Sequence, residues 1–63
     1  GPRGDGLQTV EGDLPSIGRV EWTDNGEALE FAQDREQRIL TFRATRNPYG
    51  SQAVVRVARL LPA

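Results

Sequence analysis

The side chains able to do chemistry in this 63-residue chain are carboxylates and arginines: nine acids, eight basic residues that are all arginine, and no histidine, cysteine or lysine. Nucleophilic catalysis requires a base beside the nucleophile, and Ser16 and Ser51 stand in turn contexts with none nearby in sequence. Paired carboxylates such as Glu21 and Glu30 do acid–base work only where a desolvated pocket drives their pKa values apart, and a domain of this size is not expected to enclose one. No catalytic residue is assigned and the chain is not expected to be an enzyme. Zinc lacks its usual Cys and His ligands. Asp24-Asn25-Gly26-Glu27 has the form of a fragment of a calcium loop, but the spaced oxygens and distal bidentate Glu are missing, and turn chemistry accounts for it. Gly18, Gly26 and Gly50 make no phosphate-binding fingerprint. No metal and no cofactor is expected.

The charges are divided unevenly. Residues 1–36 hold all nine acids and three arginines, whereas residues 37–63 hold five arginines and no acid. The net charge of −1 therefore hides an acidic half followed by a basic half. Arg43, Arg46, Arg56 and Arg59, together with Tyr49, are the candidate binding residues, because arginine and tyrosine are the types in which interfaces concentrate energy. A cationic groove with a stacking ring is also the apparatus of single-strand binders, although nonspecific nucleic-acid affinity scales with the phosphates neutralised and the acidic half opposes it. A bland reading stands beside both: the acidic strands neutralise the basic ones, Glu21 and Glu30 against Arg43. Arg3-Gly4-Asp5 spells the integrin-recognition tripeptide, but tripeptides recur by chance.

These residues need elements to position them. Residues 1–16 are expected to be a tail, with Gly1-Pro2 resembling the scar of a cleaved purification tag and a short strand at 7–10. Residues 17–63 are expected to form one small domain, near the lower limit for independent folding. Residues 18–23 alternate, with Val20 and Trp22 on one face, as a half-buried strand does. Asn25-Gly26 then signals a two-residue type I′ turn, which sets Trp22 opposite Leu29, Val20 opposite Phe31 and Glu21 opposite Glu30. Residues 27–32 read as the second strand, yet EALEFAQDREQR over 27–38 is also rich in helix formers and Asp24 with Glu27 has capping-box form, so a helix there stays open. Strands follow at 38–45 and 52–61, joined by a type I turn at Asn47-Pro48-Tyr49-Gly50. A Gly bulge in that hairpin pairs Ala44 with Val54, Phe42 with Arg56 and Leu40 with Ala58, with Arg56 stacked on Phe42. Both faces of this hairpin carry apolar residues and arginine, which implies either snorkelling stems or a sheet covered by a partner or a second subunit.

Gly18-Arg19-Val20-Glu21-Trp22 resembles the Gly-x-Val-Lys-Trp opening of cold-shock domains, and residues 50–57 resemble their closing Gly-Pro-Gln-Ala-x-x-Val strand. The two aromatic RNA-binding motifs of that family are absent from between them, so the resemblance carries no functional residue over.

The expected fold is mainly β: a small antiparallel meander of strands at 18–23, 27–32, 38–45 and 52–61, with 7–10 as a fifth, curled toward an SH3-like or OB-like partial barrel; the alternative is α+β with a helix at 27–38. The expected core is Ile17, Val20, Trp22, Leu29, Phe31, Leu40, Phe42, Val55, Val57 and Leu60. The expected function is a non-catalytic module that docks another protein, or a neighbouring domain, through an arginine-rich sheet face, with nucleic acid as the alternative partner and self-association open. No segment approaches the roughly 20 apolar residues that span a bilayer, and no compartment follows from the sequence.

Overall fold

A computed structural model describes residues 6–50 and 55–63. Six strands appear in chain order: β1 (Gly6–Glu11), β2 (Ile17–Trp22), β3 (Ala28–Leu29), β4 (Phe31–Asp34), β5 (Ile39–Ala44) and β6 (Ala58–Pro62). They form two three-stranded antiparallel sheets, β1-β5-β4 and β3-β2-β6. The fold is mainly β, as expected, and among the described residues no barrel closes. The helix that residues 27–38 could have made is not formed: 28–29 and 31–34 are strand. Leu29 and Phe31 must both face inward, and a period of two does this where a helical period would not.

The β3–β4 run is one extended chain that changes sheets at Glu30. Leu29 pairs with Val20 in one sheet and Phe31 with Phe42 in the other, while the Glu30 carbonyl accepts from Arg43 N–H at 2.9 Å. The core lies between the sheets. Ile17, Val20, Trp22, Leu29, Leu40 and Phe42 are buried, with Val10, Leu14, Phe31, Ala44, Ala58 and Leu60 packed against them. Gln33 ties the sheets together on the core side. Its Nε2 donates to the Pro15 carbonyl and its Oε1 accepts from Ile17 N–H, both at 2.8 Å.

Three sequence expectations are corrected. First, the β2–β3 loop has four residues, 23–26, rather than two. Trp22 N–H donates to the Glu27 carbonyl at 3.0 Å and Gly26 N–H to the Trp22 carbonyl at 2.8 Å. Only Gly26 is left-handed (φ 74°), and Asn25 has no positive φ. The Asn25 side chain instead accepts from Glu27 N–H at 2.9 Å, the local turn chemistry that Asn favours. The register is therefore Val20–Leu29 and Glu21–Ala28. A slip of two residues keeps every side chain on its face, and it removes the like-charged Glu21–Glu30 pair, which opposed charges would penalise.

Second, β5 and β6 do not pair. β5 lies between β1 and β4, and β6 adds to β2 with Val20–Leu60, Glu21–Arg59 and Trp22–Ala58 in register. The turn at 48–50 forms, with Asn47 Oδ1 accepting from Tyr49 N–H at 2.8 Å, but it opens a crossover to the other sheet. Of the expected pairs, Ala44–Val54 lies partly outside the described residues. Phe42 faces Gln8 and Phe31, and Leu40 faces Val10 and Gln33. Third, β6 begins at Ala58, so Val55 and Val57 precede the strand and are 94% and 58% exposed. They are not core.

The β4–β5 loop repeats the geometry of the first hairpin. Asp34 pairs with Ile39 across residues 35–38, and the fourth loop residue is again left-handed, but here it is Arg38 (φ 60°). Left-handed geometry costs a non-glycine residue roughly 1–2 kcal/mol. Opposite effects are expected at the two equivalent positions. Gly26→Val should destabilise the domain by more than about 1 kcal/mol, and Arg38→Gly should stabilise it by up to about 1 kcal/mol. Urea unfolding of the two variants checks both signs.

Candidate interaction face

Arg43, Arg56 and Arg59, three of the arginines singled out from the sequence, each meet a carboxylate from the acidic half. Arg56 is the most constrained. Its Nε and Nη2 donate to the two oxygens of Asp24, both at 2.9 Å. Its guanidinium carbon lies 4.1 Å from the Trp22 ring centroid and 5.8 Å from that of Tyr49. The Tyr49 hydroxyl donates to the same Asp24 carboxylate at 2.9 Å. The expected stack on Phe42 is thus replaced by one on Trp22, because Arg56 follows the crossover onto the β2 sheet. Only 7% of the Arg56 side chain is exposed, and its Nη1 is buried with no hydrogen-bond partner. The buried cation therefore relies on Asp24 and on the Trp22 face, a favourable site for guanidinium.

Trp22 is the floor of this corner. It meets Phe42 edge-on, with centroids 6.3 Å apart at 85°. Its Nε1–H donates to Thr45 Oγ1 at 2.8 Å, and Thr45 Oγ1–H donates to Glu27 Oε1 at 2.8 Å. That chain satisfies the one polar atom of a buried indole.

The outward face of the β3-β2-β6 sheet holds the second arginine group. Glu21 sits between Arg19 and Arg59: Arg19 Nε is 2.6 Å from one of its oxygens and Arg59 Nη1 is 3.6 Å from the other. Glu21 and Arg59 are direct cross-strand partners, an opposite-charge pairing that stabilises sheets. Arg43 is on the other sheet, 4.0 Å from Glu30, and both groups are largely exposed, so this pair contributes little. Arg46 is exposed on the crossover. The structure thus brings Arg56 and Tyr49 together on Asp24, holds Arg59 on the outward face of β6 against Glu21, and holds Arg43 apart on β5.

Sequence reasoning missed Asp24 and Trp22 as partners of Arg56; it set Glu21 and Glu30 against Arg43, and the structure puts Glu30 near Arg43 but Glu21 against Arg59. Asp24 read as a turn residue and Trp22 as core; both readings are right, and neither shows that the crossover returns over them. The calcium reading of 24–27 loses its Asp24 oxygens to Arg56 and Tyr49. Among the described residues no group of three or more potential metal ligands gathers, and no helix is long and apolar enough to cross a membrane. Arg3-Gly4-Asp5 lies outside the described residues. A cleft of about 540 Å³ separates the 12–15 connection from the 35–38 loop. Two of its three carboxylates serve local structure: Asp34 Oδ1 accepts from Gln37 N–H at 3.0 Å, and Asp13 Oδ2 lies 3.6 Å from Arg38.

No family model matches the chain, and no curated protein matches it in sequence.

The arginine hydrogen bonds hold the Asp24 carboxyl below its ordinary range, with the Tyr49 hydroxyl adding to the effect. The same bond, seen from the phenol, raises Tyr49 above its ordinary value. A carboxyl lowered on folding gives stability that is present above its unfolded pKa of about 3.9 and is lost as pH falls through the folded value. A phenol raised on folding gives stability present below about 10 and lost as pH climbs through its folded value. Asp24→Asn should therefore lower the melting temperature at pH 7 and flatten the acid limb of the melting curve against pH. Tyr49→Phe should leave Asp24 low, because Arg56 is the larger cause; carboxyl chemical shifts followed by NMR titration decide this. Trp22→Ala should cost about 3–5 kcal/mol, most of the stability of so small a domain, and leave the far-UV spectrum largely unfolded.

Proposed function

We propose that this chain is a non-catalytic interaction module that docks another protein, or a neighbouring domain of a longer chain, through the arginine-bearing outward face of the β3-β2-β6 sheet and the crossover beside it. The observation that carries the reading is the combination found there. Arg19 and Arg59 share the single carboxylate of Glu21; Val57, two residues before Arg59 on the same face, is 58% exposed, and Tyr49 and Val55 on the crossover leading into β6 are 45% and 94% exposed. Exposed apolar side chains beside arginine and tyrosine match the composition of interface centres. Arg46 extends this surface along the crossover. Arg56 and Asp24 serve it indirectly by pinning Tyr49 and the start of the Val55–Val57 segment to the rigid β2–β3 hairpin. Preorganisation of this kind reduces the ordering cost of binding. Arg43 lies on the other sheet and is the outlying member of the set.

Nucleic acid is the less favoured partner. Arg43, Arg56 and Arg59 each already engage a carboxylate, so a phosphate backbone would have to displace these acids before gaining the counterion release that drives such binding.

Photoreactive residues test this. One placed at Val57 should crosslink in cells to a protein, and one at Ala32, outward on the opposite sheet, should not. With that protein purified, the Arg46→Gln/Arg59→Gln double variant should bind about tenfold more weakly while losing no more stability than exposed ion pairs contribute. Crosslinking to nucleic acid, or unchanged affinity of the double variant, would overturn the reading.

A further inference from the structure

Among the described residues the outer edge of β6 carries no strand, and the ladder with β2 fixes which backbone groups point to it. Thr23 N–H donates to the Val57 carbonyl at 2.9 Å, and Glu21–Arg59 follows two residues along in the same register. In an antiparallel ladder hydrogen-bonded and non-hydrogen-bonded pairs alternate. Val57 and Arg59 therefore direct their backbone groups toward β2, and Ala58 and Leu60 direct theirs away from it. The opposite edge of β2 agrees, since Trp22, the partner of Ala58, directs its N–H to Glu27 across the β2–β3 hairpin. Among the described residues β6 has β2 as its one strand neighbour, so the amide and carbonyl groups of Ala58 and Leu60 form a template for another strand.

The side chains along this edge fit the same use. Val57, Arg59 and Leu61 alternate on the outward face. Val55 and Val57 are largely exposed and Arg59 is exposed. The charge on the face selects the occupant. The outward positions of β2, β3 and β6 carry Arg19, Glu21, Ala28, Arg59 and Leu61, two cations against one anion. A second copy laid antiparallel on this edge would join two arginine-rich faces. A strand with an acid between apolar residues would instead place its carboxylate near Arg59 and its apolar groups near Val57 and Leu61.

We infer that the β6 edge, from the residues before it through Leu61, takes up an extended acidic–apolar segment of a partner protein as an added antiparallel strand. This rests on the docking function proposed above and names the mode and chemistry of the partner. Main-chain hydrogen bonds to Ala58 and Leu60 give the affinity, and the alternating row gives the selectivity, as in other strand-addition sites.

The probe is a synthetic peptide, acetyl-Thr-Val-Thr-Glu-Thr-Val-Thr-amide, titrated into the ¹⁵N-labelled chain. It should shift the amide signals of residues 57–61 and slow hydrogen exchange at Ala58 and Leu60. Methylating the peptide nitrogens that face β6 should weaken binding at least about tenfold, since two main-chain bonds are lost. Val57→Glu changes an exposed side chain and should weaken the parent peptide similarly without lowering the melting temperature. Binding without protection of Ala58 and Leu60 would overturn strand addition and leave face docking intact. Equal binding of the peptide with Arg in place of Glu, protection of β1 in place of β6, or no binding at millimolar peptide would overturn the inference. The crosslinking and double-variant results judge the docking function independently of all of these outcomes.

Discussion

The stack of Arg56 on Trp22, closed by Asp24, is the interaction on which the rest of the arrangement depends. Trp22 ends β2, and the chain has no other tryptophan and only two phenylalanines with which to build a core. One face of the indole region meets Phe42 of the other sheet, and Arg56 covers it from the crossover. A guanidinium so nearly buried is tolerable only with a counter-ion, because an unpaired charge in such a place is strongly destabilising. Asp24 supplies it with a two-point hydrogen bond of fixed geometry, which arginine offers and lysine does not. The pair thus ties residue 56 to the β2–β3 hairpin, just ahead of the strand that is added to β2.

Two smaller devices let so short a chain make two sheets. The β3–β4 run serves both, with Leu29 and Phe31 each pointing inward on either side of the change at Glu30. Gln33 replaces ladder hydrogen bonds where the sheets diverge, bonding the backbone at Pro15 and Ile17. Gly18 marks the irregularity in the β2–β6 register between Ile17 and Arg19. A Cβ there would come within 2.9 Å of the Ala63 backbone, so the close approach of the C-terminal residue requires glycine at this position.

Much of the local structure was legible in the sequence, because alternation and turn residues report on a few neighbours at a time. The strands at 7–10, 18–23 and 38–45 appear at Gly6–Glu11, Ile17–Trp22 and Ile39–Ala44, and Trp22 faces the core. The register around Asn25-Gly26 was not legible. Two- and four-residue loops both accept glycine in a left-handed position, and both leave Val20 and Trp22 facing inward. What decides is the tertiary role of the loop: with four residues Asp24 stands on it free to meet Arg56. Pairing of β6 was likewise hidden, since a tight turn at Asn47–Gly50 reads as a hairpin whether the strand that follows turns back or crosses over. Val55 and Val57 were misplaced for the same reason. Their β-branched character fits a strand interior, but they fall on the crossover, where the segment is anchored by Arg56 between them and not by their own burial.

The division of charge between the halves takes its meaning from this topology. Acids on the β2–β3 hairpin and arginines on the crossover and β6 are far apart in sequence and adjacent in the fold, so their attraction favours the crossover arrangement over a simple meander. The compensation is not even. Asp24 is committed to Arg56 and Tyr49, and Glu30 to the distant Arg43, which leaves Glu21 to serve both Arg19 and Arg59. On the outward positions of the β3-β2-β6 sheet two arginines thus share one carboxylate, and among the described residues the last strand of that sheet has no second strand neighbour. A domain selected for stability alone would gain by placing an acid at position 57 or 61, beside Arg59; valine and leucine stand there instead. That choice weakens the charge balance and raises the risk of edge association, a cost that is understandable where the edge has a partner.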